Sequence, residues 1–407
     1  ALGEQRAGCT QAPGGTGALR LAGEFIAKCL PGRSIWLSDP TWPIHETLFA
    51  AAGLRVQHYP YVDADNRLDV EGMLATLQQV PPGDVVLLHA CCHNPTGFDL
   101  NHDDWLRVLD VVRARELLPL FDFAYQGFGD GLEEDAWAVR LFAETLPEML
   151  ITSSCSKNFG LYRERTGALI AVTSDAERLL DVRSQLASLA RNLWSTPPAH
   201  GAAVVATILA DEPLRQIWQD EVERMRRRIA SLRQGLVEAL TPYGLAERFA
   251  HIARQRGMFS YTGLTAEQVR RLRAEDSVYL VESGRANVAG LDADAMTMEM
   301  SAEDRETFGR MNGNFEYWLA HGLLPLSQYG PDVTALKSGA PKIIVALGSK
   351  SVGQPIHAMG TALAVALGVQ PETFPGDHMR FGMDTAGFAA ALWEVLARKQ
   401  RRNSCWR

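Results

Sequence analysis

The sequence predicts an α/β protein built on a mostly parallel β-sheet. Two observations carry that expectation. Short apolar runs, continuous rather than alternating, recur through the first half of the chain and are separated by stretches of helical spacing. That is the pattern of strands buried on both faces between crossover helices. The residues able to do chemistry also cluster directly after those runs, at the strand ends where open α/β sheets hold their ligands. With 407 residues the chain is long enough for two or three domains.

Taken in order, Pro13-Gly14-Gly15-Thr16-Gly17-Ala18 is a glycine-rich turn that opens a helix predicted over Ala18–Leu30. Its backbone N–H groups, the helix N-terminus and the Thr16 hydroxyl suit a phosphate, although a turn of this kind needs no ligand. Ser34–Leu37 is a strand, and so is Val85–His89, which leads into Cys91-Cys92-His93-Asn94-Pro95-Thr96-Gly97. Held extended before a proline, Asn94 can aim its amide at a ligand oxygen, or it can form an Asx-Pro turn. Leu118–Phe123 carries Asp122 inside an apolar strand, where a carboxylate needs a permanent cationic or N–H partner. A protonated pyridine nitrogen would serve, and so would an arginine in a structural ion pair. Tyr125 follows in the next turn.

The strand Met149–Ser153 runs into Ser154-Cys155-Ser156-Lys157, with Arg165 beyond it, and Ala168–Val172 is the next strand. A lysine so placed can form an imine with an aldehyde cofactor, while Ser154, Ser156 and Arg165 hold a phosphate; read alone, a lysine after a strand is usually just a solvated charge. From Asp211, a helix cap, with Pro213 in the first turn, a long helix begins. Leu214, Ile217, Trp218, Val222, Met225, Ile229, Leu232 and Leu236 form its apolar stripe. Arg224, Arg226, Arg227, Arg228 and Arg233, interleaved with Glu221 and Glu223, read as its solvated face.

The net charge of −8 argues against a nucleic-acid partner. No apolar stretch is long enough to cross a bilayer, and the N-terminus has no signal-peptide pattern. Six cysteines, at positions 9, 29, 91, 92, 155 and 405, lack the spacing of a metal site or a disulfide framework. Cys91 and Cys92, if on a strand, point to opposite faces. The expectation is reduced thiols, no metal and a cytoplasmic location.

Together, Pro13–Arg20, Asp39–Pro43, Cys91–Gly97, Asp122–Phe128, Ser154–Tyr162, Asn192–Pro198 and Ser283–Gly290 resemble the class I, fold-type I aminotransferases that use pyridoxal 5′-phosphate, in the aspartate and aromatic amino acid branch. The resemblance spans roughly residues 10–296. It implies a large domain over 1–210 and a linking helix with a partial small α+β domain over 211–296. Transamination of aspartate or aromatic amino acids with 2-oxoglutarate would proceed through a Schiff base on Lys157, which also moves the substrate α-proton. Asp122 would pair with the pyridinium nitrogen, backed by His45. Tyr125 and Asn94 would contact the ring hydroxyl, and Trp42 would stack on the ring. Gly15, Thr16, Ser154, Ser156 and Arg165 would hold the phosphate, with Gly14 standing where many relatives have serine. Arg285 would clamp the substrate α-carboxylate, and Trp42 and Asn94 would also line the substrate's place. Arg191, from the second subunit of a homodimer, would meet a distal carboxylate, and Ser195 would support the partner's phosphate.

Two departures from that family stand out. The chain opens close to the phosphate loop, short of the segment and the partner-reaching tyrosine that precede it in the family, which implies a truncated and inactive chain as an alternative. Residues 297–407 instead resemble the end of an α/β-hydrolase. There Lys342–Gly348 and Glu372–Pro375 read as strands, Pro355–Leu367 and Ala386–Lys399 as helices, and His378 stands in the catalytic histidine's position. No G-x-S-x-G elbow accompanies it, which disfavours hydrolase activity. Ser301–Tyr329, at the junction, is expected to have lost packing partners.

Overall fold

The computed structural model describes residues 5–63, 66–276, 278–291, 345–352 and 355–374. The chain divides into two compact units, 1–314 and 315–407.

The first unit begins with β1 (Ala7–Pro13), α1 (Gly14–Cys29), β2 (Ser34–Asp39), α2 (Ile44–Ala51), β3 (Arg55–Pro60) and α3 (Val70–Leu77). It continues with β4 (Val85–His89), α4 (His102–Ala114), β5 (Leu118–Phe123), α5 (Trp137–Thr145), β6 (Met149–Ser154), β7 (Thr166–Val172), α6 (Ala176–Trp194) and α7 (His200–Ala210). Seven strands form one sheet in the order β1-β7-β6-β5-β4-β2-β3. The pairs from β3 through β6 are parallel, and β7 is antiparallel to both β6 and β1.

The expectation of a mostly parallel sheet is met, and the core shows why. Along β4, Val85 and Leu87 enter the cluster made with α1, α2 and α6, while Val86 and Leu88 enter the cluster beneath α3, α4 and α5. Leu120 and Phe121 divide in the same way, as do Leu150 and Ile151. A strand covered on both faces must be apolar at every position, which is what the continuous runs encode. The runs at β2, β4, β5, β6 and β7 therefore fall where the sequence puts them. The edge strands β1 and β3 are half exposed, mix polar with apolar residues and give no such run. Helix α1 starts at Gly14, a turn earlier than predicted.

The linking helix, α8 (Glu212–Ala239), is capped by Asp211, whose side chain accepts from the Leu214 N–H, and carries Pro213 in its first turn. Val222, Ile229 and Leu232 are buried, whereas Leu214 and Ile217, at the start of the predicted stripe, are exposed. One expectation is overturned here. Arg233 does not lie on a solvated face; it is 2% exposed and points into the fold. After α9 (Ala246–Arg254), the short strand β8 (Phe259–Tyr261) pairs antiparallel with β9 (Arg285–Asn287), with α10 (Ala266–Glu275) between them.

In the second unit, β10 (Ala346–Gly348) and β11 (Glu372–Phe374) pair in parallel on either side of α11 (Pro355–Leu367), which has the bounds the sequence predicts. Val345, Leu347, Ala364 and Leu367 make its core. A single βαβ unit is common to many folds and decides no family. His378, Ala386–Lys399 and Ser301–Tyr329 lie outside the described residues. Among the described residues no helix is long and apolar enough to cross a membrane.

Candidate active site

The parallel strands all end on one side of the sheet, and the loops that follow enclose a cavity of about 150 Å³. Gly15 and Thr16 reach it from the start of α1, Trp42 from the approach to α2, and Asn94 from the loop after β4. Asp122 and Tyr125 come from the end of β5, Ser154, Ser156 and Lys157 from the end of β6, and Arg165 from the approach to β7. Every cofactor residue expected from the sequence lines this one cavity. His89, Leu19, Ala124 and Tyr162 line it too. Arg285 stands beside it, donating from Nη1 to Asn94 Oδ1 at 3.2 Å, with its guanidinium 4.6 Å from the Phe259 ring centroid. Arg191 and Ser195 are exposed at the end of α6 and do not line the cavity.

At one end of the cavity an acidic group is held charged. His45 is fully buried, with Nε2 3.0 Å from Asp122 Oδ2 and Nδ1 2.8 Å from Thr41 Oγ1. Burial alone would raise the Asp122 carboxyl. The His45 hydrogen bond, with electrostatic support from Lys157, outweighs burial and holds it below the usual range. The His89 ring lies 5.2 Å from that of His45, and neither of its nitrogens has a hydrogen-bond partner among the described residues. Burial and the neighbouring His45 push it down to about 3, so it stays neutral.

Lys157 Nζ lies 4.7 Å from the Tyr125 ring centroid. Burial lowers its pKa, and Arg165 adds to that, against the opposing pull of Asp122. A lysine so placed gives up its proton more readily than one in water and can serve as a base. The Tyr125 hydroxyl accepts from Asn94 Nδ2 at 3.4 Å, so these two expected neighbours do converge. The Trp42 ring meets His45 edge-on at 5.2 Å.

The other end of the cavity is a cradle for an anion. Among the described residues no side chain caps α1, its first turn carries no acidic residue, and Gly15 and Thr16 of that turn line the cavity. Gly14 has φ 75°, and a Cβ there would lie 2.6 Å from Arg165 Nη2; the missing atom leaves the room that the guanidinium takes. Arg165 is itself in the left-handed region at φ 54° and donates to the Tyr162 carbonyl at 2.8 Å. Ser154 Oγ and Ser156 Oγ stand 3.0 Å apart beside it. N–H groups, hydroxyls and a guanidinium form a donor set for a phosphate dianion. With Asp122 opposite, ready for a cationic ring nitrogen, and two orphaned nitrogens on His89, these residues fit pyridoxal phosphate.

Two features escaped the sequence reading. His89 ends an apolar strand as Asp122 does, and that signal could have found it. Cys91 and Cys92 follow β4 instead of lying on it, and Cys92 turns the chain at φ 53°. Their thiols therefore converge, within 4.8 Å of each other and of an Asp135 oxygen, instead of pointing to opposite faces. Burial raises both thiols, Cys92 to about 11.

The family model for aminotransferase class I and II matches residues 2–302. The chain is 80% identical over 290 residues to the aromatic-amino-acid aminotransferase of Pseudomonas aeruginosa, covering 71% of this chain and 73% of that enzyme. It is 49% identical over 296 residues to the aspartate aminotransferase of Escherichia coli, covering 72% and 75%. Among solved structures, the aromatic-amino-acid aminotransferase of Burkholderia pseudomallei, covalently bound to pyridoxal phosphate, superposes with a TM-score of 0.71 at 46% identity over 74% of this chain and 76% of that one. The chain belongs to the class I and II aminotransferases, enzymes that transfer amino groups.

Proposed function

We propose that the chain transfers the amino group of aspartate or an aromatic amino acid to 2-oxoglutarate, with pyridoxal phosphate as cofactor. The observation that carries this reading is the placement of Lys157, Asp122 and the Gly15–Arg165 cradle around one cavity. Gly15, Thr16, Ser154, Ser156 and Arg165 would hold the phosphate, Asp122 the ring nitrogen, Tyr125 and Asn94 the ring hydroxyl, and Trp42 the ring face. Once bound, the cofactor supplies an electron sink for the charge left when a proton leaves the substrate α-carbon.

The protein's part is orientation and proton movement. Asp122, kept charged by His45 at 3.0 Å, would keep a proton on the ring nitrogen of the bound cofactor. Lys157 Nζ takes the α-proton and returns it on the other side of the transfer. Arg285, fixed on Asn94 and Phe259, holds the α-carboxylate of both amino acid and 2-oxo acid.

The working form is a homodimer in the cytoplasm. Helix α7 supports the first point: it is apolar along its length, yet Gly201 is its one buried residue, and Leu209 is 41% exposed. Arg191 and Ser195 are exposed at the end of α6, free to serve a partner's site. Five free cysteines among the described residues suit a reducing compartment.

Borohydride reduction of the purified protein with added pyridoxal phosphate, followed by peptide mapping, tests this reading. Label confined to the Lys157 peptide, together with turnover of aspartate or phenylalanine with 2-oxoglutarate, is expected. Label scattered over surface lysines, with no turnover, would refute it.

A further inference from the structure

Arg233 of α8 is a buried cation without an acidic partner among the described residues. Its Nη1 donates to Ser260 Oγ and, at 3.4 Å, to the Ile252 carbonyl. Its Nη2 donates to the carbonyls of Arg256 at 3.1 Å, Gly257 at 2.7 Å and Phe259 at 2.6 Å. A guanidinium at 2% exposure needs partners for its protons; both Nη atoms have them while Nε has none among the described residues, so the Nη bonds tie these carbonyls and the arginine together. Burial lowers it to about 10, which leaves it charged at neutral pH.

The carbonyls belong to the stretch that enters β8. That strand has three residues and pairs with three-residue β9, Tyr261 standing opposite Arg285. Two strands this short do not hold their own position. Two further bonds stitch the same stretch to the Asn94 loop: Arg256 N–H to the Gly97 carbonyl at 2.7 Å, and Tyr261 N–H to that of Thr96 at 3.2 Å. Phe259, whose carbonyl Arg233 grips, presents the ring on which Arg285 rests.

We propose that Arg233 is a positioning residue for substrate binding, fixing Phe259 and through it the Arg285 guanidinium that receives the substrate carboxylate. The proposal rests on the reading of Arg285 given above. Because Arg233 touches neither the phosphate cradle nor Lys157, its loss should act on KM for both amino acid and 2-oxo acid, leaving the chemical step and cofactor binding in place.

The test uses the full chain saturated with pyridoxal phosphate. Arg233→Lys should raise both KM values about tenfold with kcat within about threefold. The absorption spectrum and its pH titration should not move. Ser260→Ala, which removes one acceptor and leaves the charge, should shift KM the same way by a smaller factor and keeps the test open if Arg233→Lys does not fold. On an Arg285→Leu background, Arg233→Lys should add little, since the group it positions is gone. Equal increments on both backgrounds would overturn the proposal, as would unchanged KM in both Arg233→Lys and Ser260→Ala while Arg285→Leu raises it. An Arg285→Leu enzyme with normal KM would overturn the carboxylate reading and the proposal together.

Discussion

Replacing His45 with leucine removes the hydrogen bond to Asp122 while filling nearly the same buried space. His45 is fully buried and Asp122 is 11% exposed on its side chain, so water cannot readily replace the lost donor. A hydrogen bond to a buried charged group is worth about 1.5–3 kcal/mol, and losing it raises the Asp122 pKa. The folded-state value in the native protein lies below the usual one. Its contribution to stability is therefore fully present above the unfolded value of about 3.9 and is lost as the pH falls through the folded value. His45→Leu should cost about 1.5–3 kcal/mol at neutral pH, and the deficit should shrink as the pH falls into the carboxylate range, because the variant's Asp122 accepts a proton at a higher pH than the native one and sheds its buried charge. Urea unfolding of the cofactor-free chain across that range measures the difference. A deficit that stays constant with pH would mean that His45 contributes packing alone, and the argument that it holds Asp122 charged would fail.

Three other outcomes follow from the geometry. Lys157→Ala should reduce transamination by at least about four orders of magnitude, as expected when the base and attachment point are both lost; a stopped assay with a coupled 2-oxo acid readout would detect anything larger. On the proposed reading that Arg191 meets a distal carboxylate in the partner's site, Arg191→Leu should raise KM for aspartate and 2-oxoglutarate about tenfold or more while changing that for phenylalanine little. Gly97 has φ 73°, and a Cβ there would lie 2.7 Å from the Phe259 carbonyl. Gly97→Ala should therefore cost about 1–3 kcal/mol in a denaturant melt and raise KM, by prising the Phe259 stretch away from Asn94.

The central strands and the cavity residues were legible because both depend on local pattern. A strand covered on both faces has no room for a polar residue, so Asp122 inside one and Lys157 just past another announce themselves. The edge strands β1 and β3 were not legible, because one open side removes the demand for an apolar run. Arg233 was misread for a different reason. Its spacing among Arg224, Arg226, Arg227 and Arg228 is that of a solvated face, and its partners are backbone carbonyls up to 26 residues away, which carry no side-chain signature, and one serine hydroxyl, that of Ser260. The convergence of Cys91 and Cys92 was hidden by the assumption that the strand continues; a left-handed residue at Cys92 ends that alternation. Periodicity reports the environment of a regular element and says nothing about a side chain whose partners lie in a distant loop.

The uncapped start of α1 has a consequence for how this protein lives and dies in a cell. A helix start without a side-chain cap leaves N–H groups to be satisfied from elsewhere, and here that start lines the cavity through Gly15 and Thr16. A bound phosphate would be the missing cap, and a ligand at a hundred times its dissociation constant adds about 2.7 kcal/mol to the folded state. Folding and cofactor loading are then one thermodynamic event seen from two sides. Cofactor-free chains would then unfold more readily than loaded ones, so that cofactor supply would bear on how much folded protein persists as well as on its activity.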